Sequence, residues 1–148
     1  MTRSEELAEW AREVTGKKDL ELVPLAGDAS FRKYYRSEEG IFADSPPETQ
    51  KNREFCEIAS RLKKAGFTVP EVLHADLERG FLHERDLGGT SLEDAVKGLS
   101  GKPVRDLYEA ALGVCEWLVK VPSGALPLFD RPFIERELSI FTDWFFED

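Results

Sequence analysis

The sequence predicts an α+β fold: a five-stranded antiparallel sheet with one packed helix, followed by helices that begin a second, all-helical layer. Three observations predict it. Within the first half of the chain the apolar residues switch between a period near 3.6 and a period of 2. Five short strand-like runs there are punctuated by turns containing Gly, Pro and Asp. Beyond Gly88-Gly89 every apolar period is helical.

The elements follow in order. Thr2-Arg3-Ser4-Glu5 has the form of a capping box, Leu7, Trp10, Ala11 and Val14 recur at helical spacing, and Gly16 ends that helix. Residues 20–35 change character. Leu20, Leu22 and Pro24 alternate with polar residues, Gly27-Asp28-Ala29-Ser30 breaks the run, and Phe31, Tyr34 and Tyr35 follow, which predicts two strands around a tight turn. A third strand spans 41–43 and is closed by Asp44-Ser45-Pro46-Pro47, because proline has no N–H for a sheet. Residues 50–65 are helical, with Phe55, Ile58, Ala59 and Leu62 as the buried stripe and Gly66 as the stop. Residues 72–75 and 81–84 form a hairpin. Ser91 caps a short helix, with Asp94 closing its box. Val104, Leu107, Ala111, Val114 and Leu118 mark a longer helix, and Pro132 opens a last one with Ile134, Leu138, Phe141 and Phe145 on one face. Gly88-Gly89 is the expected hinge, so the domains are expected at 1–87 and 88–148.

Composition narrows the function. With 41% hydrophobic and 33% charged residues among 148, the chain has the balance of a globular protein with one core. Acids outnumber bases 29 to 20, and the net charge of −9 repels phosphate backbones, so no nucleic-acid partner is expected, although a local basic patch can hold one small anion. No apolar run approaches the roughly 20 residues of a membrane span, and the first ten residues have no apolar stretch of a secretory kind. These features predict a cytoplasmic protein with no membrane partner. Cys56 and Cys115 stand among apolar residues and are expected as buried free thiols. His74 and His83 are the sole histidines, and no zinc spacing or hydrolytic triad can be built from them, so no metal ligand is assigned.

Three motifs bear on chemistry. The turn 27–30 can aim backbone N–H groups at a phosphate, and Arg32 and Lys33 follow with positive charge. Neighbours on a strand point to opposite faces, so one of the two is expected to face the anion, and the sequence leaves open which. His74-Ala75-Asp76 imitates the His-x-Asp of a kinase catalytic loop, but Phe81 stands where that loop needs Asn, and the triplet lies in a hairpin. It is therefore read as a strand end and a turn. Glu57, or its neighbour Glu54, lies on the helix after strand three, where kinase architecture uses an acid to organise a basic group of the sheet.

Together these segments resemble the bacterial anomeric sugar kinases, the N-acetylmuramate/N-acetylglucosamine 1-kinases of the aminoglycoside phosphotransferase superfamily. Residues 27–36, Gly-Asp-Ala-Ser-Phe-Arg-Lys-Tyr-Tyr-Arg, resemble the glycine-loop signature. Asp44-Ser45-Pro46-Pro47-Glu48, Val69-Pro70-Glu71-Val72, Gly80-Phe81-Leu82 with Asp86-Leu87-Gly88, Leu126-Pro127-Leu128-Phe129-Asp130 and Glu135-Arg136-Glu137-Leu138 resemble further family segments in the same order.

The resemblance implies a kinase-like N-terminal lobe and the start of a helical lobe. It implies that Gly27, Asp28, Ala29 and Ser30 cover the phosphates of ATP and that Arg32 or Lys33 neutralises them. The backbone of Glu84, Asp86 and Leu87 would bond the adenine, with Leu25, Ala43 and Leu82 as apolar walls. The cofactors implied are ATP and magnesium, and the acceptor is an amino sugar. Two departures stand out: strand 41–44 carries no lysine, and His83 and Arg85 replace apolar and small or acidic residues near the hinge. The catalytic His-x-Asp-x4-Asn loop and the magnesium-binding Asp motif have no counterpart among these residues, so no catalytic residue is assigned and the chain alone is expected to be inactive. The alternative expectation is a stand-alone kinase-like binding or regulatory module. A possible homodimer is expected through the apolar face of the last helix.

Overall fold

The computed structural model describes residues 1–26, 30–124 and 126–145; Gly27, Asp28 and Ala29 of the expected phosphate turn lie outside the described residues. The chain forms two compact units, Met1–Ala110 and Ala111–Asp148. The first contains α1 (Arg3–Thr15), β1 (Val23–Pro24), β2 (Lys33–Ser37), β3 (Gly40–Asp44), α2 (Asn52–Lys64), β4 (Val72–Asp76), β5 (Phe81–Glu84) and α3 (Leu92–Val96). Helix α4 (Lys102–Leu118) runs through the division, and α5 (Arg131–Phe145) lies in the second unit. The five strands form one antiparallel sheet in the order β1-β2-β3-β5-β4.

Helix α1 starts and stops where its residues require. The Thr2 hydroxyl accepts from Glu5 N–H, the Glu5 carboxylate accepts from Thr2 N–H at 2.7 Å, and Gly16 ends the helix at φ 71°. Its face of Leu7, Trp10 and Ala11 is buried against Phe42 of β3, Phe81 of β5 and Leu20. Trp10 meets Phe42 edge-on at 6.2 Å between ring centroids and lies 5.8 Å from Phe81. Each large side chain buried this way contributes roughly 1.5–3 kcal/mol. Arg3 locks the start of the helix to the sheet, donating through Nε and Nη2 to Asp44 Oδ1 at 2.9 and 2.6 Å and through Nη2 to the Arg79 carbonyl at 2.8 Å.

Two helices therefore pack on the sheet, where one was expected. The sequence pattern marked α1 as amphipathic without indicating that the Phe42–Phe81 face needed cover. Leu20 corrects a second expectation: it is buried under α1 instead of pairing in a strand, and β1 shrinks to Val23–Pro24. That strand is at the sheet edge, the position a proline tolerates. The α2 stripe is shifted as well. Asn52 and Ala59 are buried and Phe55 and Leu62 half-buried, while Ile58 is exposed.

The β4–β5 turn depends on a glycine. Gly80 has φ 74°, its N–H donates to the Asp76 carbonyl at 2.8 Å, and its carbonyl accepts from Ser45 N–H at 2.8 Å. A Cβ there would stand 2.1 Å from the Ser45 carbonyl oxygen. In the second unit, the Asp130 carboxylate caps α5 by accepting from Phe133 N–H at 3.0 Å. Neither α4 nor α5 has a buried residue. Cys115 is accordingly exposed, contrary to expectation, and Cys56 is half-buried.

Candidate functional site

The strand register divides the sheet into two faces. Directly opposed residues share a face, and successive residues alternate. Phe42 and Phe81 lie under α1, and with them go Tyr35, Asp44, His83 and Lys33. The other face carries Tyr34, Ala43, Leu82 and Ala75 in one row across β2, β3, β5 and β4. Leu25 extends this row, since its N–H donates to the Tyr34 carbonyl at 2.8 Å. The expected apolar walls Leu25, Ala43 and Leu82 thus stand in one row, with Tyr34 between Leu25 and Ala43. The next row contains Arg36, Ile41, Glu84 and Val72.

The same register separates Arg32 from Lys33. Lys33 is exposed and opposes Asp44 on the α1 side. Arg32 turns to the α2 side. Its Nε donates to Ser45 Oγ at 2.8 Å, its Nη2 donates to Asn52 Oδ1 at 3.4 Å, and the guanidinium lies 4.4 Å over the Phe55 ring. Ser45 Oγ in turn donates to Asn52 Oδ1, while Asn52 Nδ2 donates to the Ser45 carbonyl at 2.7 Å. Ser45 and Asn52, both buried, therefore form a rigid seat for the cation. Ser30 supports the entry to β2, its hydroxyl accepting from Arg32 N–H at 3.2 Å.

Glu57 is outside this cluster. It is exposed and makes no ion pair among the described residues; α2 turns Asn52 and Phe55 toward the sheet instead, and Glu54 is exposed too. One turn of α2 corresponds to nearly four residues, so a helix offering Asn52, Phe55 and Ala59 inward must turn Glu57 outward. His74 is a strand residue whose Nδ1 lies 3.1 Å from His83 Nδ1, and Asp76 accepts from Arg79 N–H at 2.9 Å, as the reading of that triplet as strand and turn requires.

At the far end of the face, β5 runs into residues 84–87. Glu84 is 4% exposed, and its Oε1 has no hydrogen-bond partner among the described residues. Burial pushes its carboxyl up to about 7, against a smaller opposing pull from Arg32. Asp86 behaves oppositely. The Gly88 N–H, then Arg36, hold its carboxyl below the usual range. Arg36 donates to it through Nε at 2.7 Å and Nη2 at 3.1 Å and also reaches the Gly88 carbonyl at 3.2 Å. This bidentate clamp fixes the segment after β5. Leu87 is exposed. Ser45, Phe55 and Arg36 stood in sequence motifs but were not assigned to the site, and Asn52 was not singled out. Asn52 is a single polar residue in the first turn of a helix, which by itself carries no signal, and the Arg36–Asp86 pair spans 50 positions.

The arrangement is a forked cation held at one end of an apolar row, on the α2-side face of an antiparallel sheet. Residues 21–145 match the phosphotransferase enzyme family, and the chain belongs to it. It is 38% identical over 130 residues to the N-acetylmuramate/N-acetylglucosamine kinase of Pseudomonas aeruginosa, covering 84% of this chain and 38% of that protein. It is 32% identical over 152 residues to the protein of the same name from Neisseria meningitidis serogroup B, covering 98% of this chain and 45% of that protein. The corresponding figures for Pseudomonas putida are 31% over 129 residues, 84% and 37%. The chain thus spans less than half the length of these relatives. No solved structure matches it. The expected family and the kinase-like α+β sheet lobe are both borne out. No helix among the described residues is long and apolar enough to cross a membrane.

Proposed function

We propose that this chain is the nucleotide-binding, N-terminal part of a cytoplasmic ATP-dependent amino-sugar kinase, with a nucleotide-clamping lobe at 1–87 and a helical lobe beginning at 88. The observation that carries the reading is the continuous strip on the α2 side of the sheet. It runs from Arg32, seated on Ser45 and Asn52, past the row of Leu25, Tyr34, Ala43 and Leu82, to the backbone at 84–87. Ile41 on β3 and Ser45, the residue that follows the strand, mark its two ends, about 13 Å apart at the rise of a strand. A purine needs flat apolar cover and a polar backbone edge, and a triphosphate needs a fixed, forked cation. The strip offers these in the order in which they occur along ATP.

In this reading Arg32, not Lys33, neutralises the phosphates, and the turn of Gly27, Asp28, Ala29 and Ser30 covers them. Magnesium bound with ATP would neutralise further charge, and no residue of this chain is assigned to hold it. The sugar-binding and phosphoryl-transfer residues are assigned outside these 148 positions, so the chain alone binds nucleotide without turnover. The relatives' printed names support an amino sugar as acceptor. The exposed Leu138 and Phe145 of α5 support self-association through that helix.

Calorimetric titration with MgATP tests the assignment of the cation. Arg32→Ala is expected to weaken binding about tenfold, the size of one charge-assisted hydrogen bond, and Lys33→Ala less than twofold. Equal losses in the two variants would contradict the reading.

A further inference from the structure

The segment after β5 is fixed on both flanks and left open between them. On one flank, Arg85 N–H donates to the Glu71 carbonyl at 2.8 Å, and Arg85 Nη2 donates to the Glu71 carboxylate at 3.0 Å. On the other, Gly88 N–H donates to Asp86 Oδ1 at 2.8 Å, in a turn whose φ of 96° suits glycine. Between these points the backbone N–H and C=O groups of Asp86 and Leu87 have no hydrogen-bond partner among the described residues. Such a stretch binds a ligand well only while its geometry is held, because a loose loop must first be ordered.

Arg36 holds it. Ile41 opposes both Arg36 and Glu84, so the arginine stands in the row that ends at this segment and reaches across β3 to it. Its Nε and Nη2 grip the two Asp86 carboxylate oxygens at 2.7 and 3.1 Å, and Nη2 also meets the Gly88 carbonyl at 3.2 Å. A Cβ on Gly89 would stand 3.2 Å from Nη1, so the guanidinium packs against that residue too. One side chain from β2 thus contacts residues 86, 88 and 89 and leaves the backbone of 87 open.

We propose that Arg36 is the positioning residue for base recognition: it holds the Asp86–Leu87 backbone as the donor and acceptor edge that a purine reads, an inference that rests on the nucleotide reading given above. Arg32 and Arg36 are four positions apart, an even separation that puts both on the α2 side of the sheet. Arg32 then serves the phosphate end of the strip and Arg36 the base end. The planar fork of arginine grips two carboxylate oxygens at once, which the single ammonium of lysine does not reproduce.

The test is calorimetric titration of the full chain with MgATP and, separately, with magnesium and inorganic triphosphate, which has no base. The Arg36–Asp86 pair is partly exposed, and such pairs add little to stability, so the variants are expected to fold. The wild type is expected to bind MgATP more tightly than the triphosphate. Arg36→Ala should weaken MgATP about tenfold and the triphosphate less than twofold, whereas Arg32→Ala should weaken both. Arg36→Lys should not restore MgATP binding. Asp86→Ala should change MgATP binding less than twofold once Arg36 is alanine. A nucleotide-free readout accompanies these: the Gly88 amide, held on Asp86, should exchange its hydrogen about tenfold faster in Arg36→Ala. Equal losses for MgATP and triphosphate in Arg36→Ala, full rescue by lysine, or unchanged Gly88 exchange would overturn the positioning role and leave the nucleotide reading standing. A wild type that binds MgATP no more tightly than triphosphate overturns base recognition. A wild type that binds neither overturns the nucleotide reading and the positioning role with it.

Discussion

Replacing Gly80 with alanine should damage the sheet lobe far more than the same change at Gly16, although both glycines have nearly the same backbone, φ 74° and φ 71°. The left-handed conformation costs an L-residue about 1–2 kcal/mol at either site. A stiffer unfolded chain returns about 0.4–1 kcal/mol in both. The sites differ in their surroundings. At Gly16 an added Cβ meets nothing within 4 Å. At Gly80 it would lie 2.1 Å from the Ser45 carbonyl oxygen and 2.8 Å from Pro47 Cδ, and the first of these is backbone that cannot rotate away. Relief requires the 45–47 segment to move, with loss of the Ser45 N–H bond to the Gly80 carbonyl, roughly 1 kcal/mol, and added strain of similar size. The expected costs are about 3 kcal/mol for Gly80→Ala and about 1 kcal/mol or less for Gly16→Ala. Urea unfolding followed by circular dichroism measures both. Because Ser45 seats Arg32, Gly80→Ala should also weaken MgATP binding in the folded fraction. Equal costs for the two variants, within about 0.5 kcal/mol, would refute the steric argument.

Three further outcomes are expected. Arg3→Ala strands the buried Asp44 carboxylate; since the arginine side chain is 41% exposed, the cost is about 1–2 kcal/mol, less than for a fully buried pair, and it should largely vanish in an Asp44→Ala background when both are unfolded in urea. Glu84 has a folded value of about 7 against an ordinary 4.5, so the unfolded chain ionises first and stability falls as pH rises from about 4.5 to 7. The full difference is on the order of 3 kcal/mol; Glu84→Gln should therefore be more stable than the wild type at pH 8 and equal to it at pH 4, and a parallel pH profile for the two would contradict the burial argument. On α5, Leu138 is 67% and Phe145 74% exposed, and replacing both with Asp should abolish self-association in sedimentation equilibrium, whereas a monomeric wild type would remove the basis for the expected homodimer.

The local signals in the sequence carried much of the fold. The Thr2–Glu5 box, Gly16, the hairpin at 76–81 and the Ser91 cap each act within four or five residues, and each element formed where its cap or turn required. What was illegible depends on pairing across the chain. Whether Arg32 or Lys33 faces α2 follows from Lys33 opposing Asp44, a register set by two strands together. Glu84 sits in the run His-Glu-Arg-Asp, which reads as a solvated hinge, yet β5 lies between β3 and β4 and α2 flanks that face, so the carboxyl is buried. Glu57 misled for the opposite reason: its place after strand three suggested a role, while the helical phase that buries Asn52 and Ala59 turns it outward. Leu20 alternated like a strand residue and became the floor of α1, because burial under Trp10 outweighs pairing at a sheet edge.

The central claim is that the α2-side strip from Arg32 to residues 84–87 is a nucleotide site. Titration of the isotope-labelled chain with MgATP, followed by two-dimensional amide NMR, tests it directly. The largest shifts are expected on Leu25, Arg32, Ala43 and residues 84–87, with the α1 side around Lys33 and Phe42 little changed. Shifts concentrated on α1, or a folded chain whose spectrum is unmoved at millimolar MgATP, would contradict it.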